Sequence, residues 1–286
     1  MRTIGIMAGS GQFPFLVAQG ARALGYKVVI CGFHGNADPA LTDVADEFVM
    51  LHLGRLGDLI KFFKKNGVQQ ACMAGAISKP KAVTEIKPDL RVTKLIFKLA
   101  GKAKGDDAIL RAVAEEMQSE GINIVPPDAL VPGLRPTAGI LSERKPDTEL
   151  WQDVRYGWRV AKEVGALDIG QCVVVKSGIV VAVEGMEGTD AALERGGALG
   201  GPGCTAVKVV KPGQDKRLDL PSLGASTIEI LAKHKYACLA FDAAGTLFFD
   251  SDKALAAAKA HNICVIAVPE DAEAFFDATA RQGSAD

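Results

Sequence analysis

Several features are scarce in this chain of 286 residues. Aromatic side chains make up 6% of it, and 33 Lys and Arg nearly cancel 34 Asp and Glu, leaving a formal net charge of -1. A balance this even provides no general electrostatic grip on nucleic acid, so no nucleic-acid partner is expected. No stretch approaches the roughly 18 uninterrupted apolar residues that a membrane-spanning helix needs. No charged-then-apolar leader precedes Ile4. The expectation is a cytoplasmic protein that at most touches a membrane surface. The six cysteines, Cys31, Cys72, Cys172, Cys204, Cys238 and Cys264, include no C-x-x-C pair and lie mostly in apolar, strand-like runs. They read as buried thiols, not as a disulfide framework or a zinc site. The histidines, His34, His52, His234 and His261, show no H-E-x-x-H spacing, and there is no G-x-S-x-G elbow. Zinc-peptidase and serine-hydrolase chemistry therefore find no support.

What is present is a change of rhythm along the chain. From Met1 to about Gly133, strand-like and helical runs alternate: TIGIMA, a helix to Leu24, KVVICGF, a helix near Leu56 to Asn66, QQACMAG, a helix near Asp107 to Gly121, and INIV. That alternation predicts a parallel sheet with crossover helices. The stretch from Pro132 to Glu149 is rich in Pro, Gly, Ser, Thr and charge, and it reads as a linker. Beyond it come a helix from Leu150 to Val164, a hairpin about Lys176-Ser177-Gly178, a helix near Asp190 to Arg195, and the strand TAVKVV. A helix from Ser226, a second hairpin in ACLAFDAAGTLFFD, a helix from Ser251 to His261 and the strand ICVIAV follow. The fold class expected is α/β: a Rossmann-like parallel-sheet domain over 1–133 for nucleotide or phosphate, a linker over 134–149, and a mixed α/β domain over 150–286 carrying the acidic turns.

The first strand runs into Gly9-Ser10-Gly11-Gln12, with Pro14 just inside the following helix. Backbone N–H groups and the positive end of a helix suit a phosphate there, and proline in a first turn loses no bonded donor. Tight strand-to-helix turns also need glycine for purely structural reasons. The second strand ends Cys31-Gly32-Phe33-His34, without the acid that a nicotinamide dinucleotide site places on its ribose. Ala74 and Gly75 end the third predicted strand with small residues, which fits either a ligand or close packing. Asp106 and Asp107 are helix caps or magnesium ligands. The run LRVTKLIFKLAGKAK interleaves Leu90, Leu95, Ile96 and Leu99 with Arg91, Lys94, Lys98, Lys102 and Lys104. It has either an ordinary core face or a surface for acidic lipid.

The densest acid cluster is Glu184-Gly-Met-Glu187-Gly188-Thr189-Asp190, between a strand and a helix. Like charges this close repel unless solvated or neutralised by a cation. A metal or ligand role for Glu187 and Asp190 stands beside simple capping. The next loop brings Lys208 and Lys211, suited to phosphate oxygens, and Asp219, suited to ligating or activating water. Ala225 follows it, where either an acidic side chain belongs and this chain is impaired, or a small turn residue precedes a Ser226–Glu229 capping box.

Taken together, MAGSGQFP, GDD, DIGQCVVV, VEGMEGTD and the K-x-x-KPGQD-x-R-x-DLPSLG-x-x-T run resemble the LpxI family of UDP-2,3-diacylglucosamine pyrophosphatases of lipid A biosynthesis. The resemblance spans nearly the whole chain. It implies a Mg2+-dependent hydrolase that splits the substrate into UMP and 2,3-diacylglucosamine 1-phosphate, acting as a homodimer at the membrane surface. Two other classes stay open at this level, a non-catalytic nucleotide-sugar or lipid-binding protein and a dinucleotide-dependent oxidoreductase.

Overall fold

The computed structural model describes residues 2–77, 86–99, 106–215, 217–218 and 220–282. The chain forms two compact units, one of Met1–Pro132 with Asp215–Asp219, the other of Gly133–Gln214 with Leu220–Asp286. Both are α/β, as expected.

The first unit is built on β1 (Thr3–Ala8), β2 (Lys27–Phe33), β3 (Glu47–Leu51), β4 (Gln70–Ala74) and β5 (Asn123–Ile124). They pair in the order β3-β2-β1-β4-β5, every pair parallel. The inner strands TIGIMA and KVVICGF are apolar almost throughout because both of their faces are covered. One face packs against α1 (Phe13–Ala23), through Val17, Ala18 and Ala21. The other packs against α2 (Leu56–Lys65), which buries Leu56, Leu59, Ile60 and Phe63 at helical spacing. α3 (Leu90–Leu99) and α4 (Asp106–Ser119) join that second layer. Short β3 was not foreseen: EFVML is half-buried and carries no alternation to betray it.

The second unit carries β6 (Gly139–Ile140), β7 (Cys172–Lys176), β8 (Ile179–Val183), β9 (Thr205–Lys208), β11 (Cys238–Asp242) and β13 (Cys264–Val268) in the order β6-β13-β11-β9-β7-β8. β9, β11 and β13 are parallel, whereas β6, β7 and β8 pair antiparallel with their neighbours, so the sheet is mixed. One face is covered by α5 (Thr148–Ala166), through Leu150, Val154, Trp158 and Ala161, and by α9 (Ala272–Gln282), through Phe276. The other is covered by α6 (Thr189–Gly200), α7 (Ala225–Lys233) and α8 (Ser251–Ala260). Asp147 caps α5 by accepting from the Leu150 N–H at 2.9 Å. The β7–β8 hairpin turns at Ser177 and Gly178, both left-handed, and their N–H groups donate to the buried Asp153 at 3.0 and 2.7 Å.

Three expectations need correction. The stretch 134–149 is not a free linker: β6 lies within it and pairs with β13, and Ser142 Oγ accepts from the Val265 N–H at 2.8 Å. Two residues suffice for an edge strand, and the surrounding Pro and Gly do not forbid it. The second hairpin is absent, because both edges of β11 are already taken by β9 and β13. β12 (Leu247–Phe248) instead pairs parallel with β10 (Ser222–Leu223). Ser226 does not cap α7, whose N-cap is Gly224 with no side-chain bond. The six cysteines are buried free thiols, and burial pushes Cys31 and Cys72 up to about 12.

Candidate active site

In the first unit the carboxyl ends of the strands collect the turns that sequence singled out. Gly9 N–H donates to the Ala74 carbonyl at 2.8 Å, Ser10 N–H to that of Ala76 at 2.8 Å, and Ala76 N–H back to Ser10 at 3.1 Å. Ser10 Oγ donates to the Ala76 carbonyl as well, at 3.0 Å. A Cβ on Gly9 would strike the Ala76 carbonyl, and one on Gly75, at φ +89°, would lie 2.5 Å from that of Ser10. The glycines of both turns are thus required by backbone meeting backbone. Gly11 and Gln12 stay exposed beside this seam, at the start of α1. Beside them His34 follows β2 and His52 follows β3, and their rings lie 4.5 Å apart.

In the second unit β8 and β9 end on the edge where β7 begins. Glu184, buried after β8, accepts from the Gln171 N–H at 3.2 Å and from Thr189 Oγ1 at 3.0 Å. Glu187 accepts from the Gly185 N–H at 3.1 Å and pairs with Arg195, whose guanidinium holds the carboxyl below its usual range. Gly188 takes φ +84° as N-cap of α6. Asp190, in the first turn of that helix, is exposed and has no hydrogen-bond or ion-pair partner among the described residues. The buried Lys208 ends β9, and its Nζ donates to the Ser222 carbonyl at 3.0 Å. Cys172 lies opposite Lys208 in register. Burial first, then the charge of Glu184, pushes the Cys172 thiol up to about 12, with Lys208 acting downward and Asp190 upward. The Glu184 N–H donates to the Cys172 carbonyl at 2.9 Å, so Glu184 and Lys208 flank Cys172 from either side of β7.

On the other face of the same edge, Lys162 Nζ lies 3.0 Å from Asp242 Oδ2 and donates to the Val210 carbonyl at 3.0 Å. Lys211 pairs with Asp168 at 2.6 Å. Ala225 is buried in the apolar cluster with Leu223 and Ile228. Asp219 and the side chains of Asp106 and Asp107 lie outside the described residues. Among the described residues no three His, Cys, Asp or Glu side chains group as a metal site.

Residues 3–134 match the family described as LpxI N-terminal domain, and residues 137–266 match the LpxI C-terminal domain. The chain belongs to the LpxI family. It is 34% identical over 278 residues to the UDP-2,3-diacylglucosamine pyrophosphatase LpxI of Caulobacter vibrioides, covering 94% of this chain and 98% of that one. Among solved structures, phosphoribosylglycinamide synthetase from Anaerococcus prevotii is 11% identical over 63% of this chain and 38% of its own, with a TM-score of 0.26. Glycinamide-RNase-transformylase T from Mycobacterium tuberculosis is 15% identical over 64% and 44%, with a TM-score of 0.27. The chain spans less than half the length of these two structures.

Within this LpxI chain, Glu184 and Lys208 flank the start of β7 and Asp190 lies in the first turn of α6, while Glu187 and Lys211 are turned to ion pairs of their own. The reading by sequence passed over Lys162, Asp242 and Arg195, and it set His34 and His52 aside as scattered. Lys162 and Asp242 lie 80 residues apart, so no local spacing announces their pair, whereas Arg195 lies only eight residues beyond Glu187. The one available signal was position: Asp242 and His34 both close or follow strongly apolar strand runs.

Proposed function

We propose that this chain hydrolyses the pyrophosphate bond of UDP-2,3-diacylglucosamine, releasing UMP and 2,3-diacylglucosamine 1-phosphate in lipid A biosynthesis. The observation that carries this is end-to-end similarity to a relative bearing that name, at 34% identity. The chemistry asks for charge stabilisation on phosphoryl oxygens and a positioned water. Lys208, buried and donating to the Ser222 carbonyl, supplies a cation in a low-dielectric setting. The N-terminus of α6 adds backbone donors. Asp190 is the carboxylate left uncommitted in the acidic turn, free to orient water.

The donor set fits magnesium in its usual manner, in which one or two carboxylates and the substrate phosphates share the ion with waters. Asp190 would hold it, since both oxygens of Glu184 and Glu187 accept protein hydrogen bonds or ion pairs. Bound there, the ion would neutralise charge on the pyrophosphate. Turnover of UDP-2,3-diacylglucosamine is expected with magnesium and is expected to vanish with chelator and return on re-addition. Full activity in chelator rejects the metal, and no activity under any condition rejects the hydrolase.

Access to a diacylated substrate belongs to the same reading. No helix among the described residues is long and apolar enough to cross a membrane. On α3, Val92 and Leu95 pack inward, while Leu90 and Phe97 are 81% and 76% exposed beside Lys94. This face suits peripheral contact with an anionic bilayer. Binding to anionic vesicles is expected to weaken as salt rises, because surface lysines contribute about 1 kcal/mol each and are screened. Salt-independent binding removes α3 from that role. A homodimer completes the reading, and sedimentation at assay concentration tests it.

A further inference from the structure

We infer that His34 and His52 form the nucleoside subsite of the first unit, taking the ribose and base of a uridine nucleotide. The inference rests on the UDP-sugar reading above. β2 and β3 pair in parallel with Phe33 opposite Leu51, so the next residues, His34 and His52, stand side by side at the carboxyl edge. The His34 N–H donates to the Leu51 carbonyl at 2.9 Å, which extends the ladder into the turn and fixes this placement. In parallel nucleotide-binding sheets the turn after the first strand meets phosphate, and the end of the second meets the nucleoside. A carboxylate ordinarily takes the ribose there. This chain puts an imidazole in that place.

The two rings lie 4.5 Å apart at an interplanar angle of 35°. Lys87 Nζ lies 3.2 Å from His52 Nε2. An ammonium only donates, so this contact is a hydrogen bond when Nε2 of His52 accepts. Lys87 is itself held in place by its N–H, which donates to the Leu53 carbonyl at 2.8 Å. His34 is exposed, and its ring has no hydrogen-bond partner among the described residues. A neutral imidazole offers one donor and one acceptor, the pair that a ribose hydroxyl or the imide edge of uracil complements. The exposed His34 ring leans on that of His52, a support against which a base would stack. The pair replaces an acid's two acceptors with a donor, an acceptor and a ring, which accounts for a nucleotide turn without the dinucleotide carboxylate.

The test measures UMP binding to the full chain by calorimetry and steady-state hydrolysis of UDP-2,3-diacylglucosamine, for the wild type, His34→Ala and His34→Gln. His34→Ala is expected to weaken UMP at least tenfold and to raise KM by a similar factor with kcat within twofold, because a remote contact binds ground and transition states alike. His34→Gln, which keeps a donor and an acceptor, is expected to fall between the two. A wild-type chain that turns over while His34→Ala binds UMP within twofold of it overturns the subsite and leaves the activity standing. A wild type that neither binds UMP nor turns over overturns the UDP-sugar reading itself.

Discussion

At the carboxyl edge of the first sheet, the turns after β1 and β4 are fastened to each other through backbone atoms. At that of the second, the turns after β8, β9 and β11 are fastened through charged side chains: Glu187 to Arg195, Lys211 to Asp168, Asp242 to Lys162. The difference teaches where chemistry resides in each. A backbone seam leaves nothing to titrate, so the first unit suits recognition, and its glycines answer to packing. A charged edge is costly unless each ion finds a partner. What remains uncommitted there among the described residues, Asp190 in the first turn of α6, stands out against a background of paired ions.

The largest effect expected of that contrast is on rate. Asp190→Asn should lower kcat on the order of 100-fold, the scale of losing one preorganised electrostatic group, with thermal unfolding unchanged. Glu187→Gln should cost less than about fivefold, since an exposed ion pair contributes little. Equal losses in the two variants would erase the distinction between committed and uncommitted acids.

Next comes stability. Gly9→Ala forces a methyl group onto the Ala76 carbonyl, and overpacking of this kind costs about 1–3 kcal/mol. Gly188→Ala meets open space and pays only for its positive φ, roughly 1 kcal/mol. Denaturant midpoints of the full chain decide the order, and a milder Gly9→Ala would mean that the first seam yields.

The smallest effect is a pH dependence in the first unit. Asp46 is held below its ordinary 3.8 by the Val28 N–H, then by Arg22. A depressed carboxylate stabilises the fold fully above the unfolded value and loses that contribution as pH falls through the folded one. The stability gap between wild type and Asp46→Asn should therefore be constant from pH 7 to about 5 and close below 3.8. A gap that widens on acidification would reverse the sign.

The sheets themselves were legible because continuous apolar strands and four-residue helical spacing are local signals: KVVICGF, ICVIAV and the Leu56–Phe63 face each appear where their patterns put them. The pairings were less so. ACLAFDAAGTLFFD carries every local mark of a hairpin, yet β11 has neighbours on both edges, a fact that only the assembled sheet contains. The site shows the same division. The acidic turn was visible as composition, but Arg195 and Gly185 decide which of its acids is occupied, and the guanidinium comes from two turns into the next helix. Ala225 looked like a lining position because of its loop. Its place in the core follows from α7 starting one residue earlier than the capping signal at Ser226.

Leu218 is buried in the apolar cluster of the first unit, with Ile60, Phe63 and Met117, although more than eighty residues of the second unit precede it in the chain. During synthesis the first unit therefore cannot finish its core when its own sheet emerges. It waits, with a hydrophobic vacancy, until most of its companion has left the ribosome. Folding of the two units is linked in time even though each has its own sheet, and a fragment ending at Pro132 would carry that vacancy permanently.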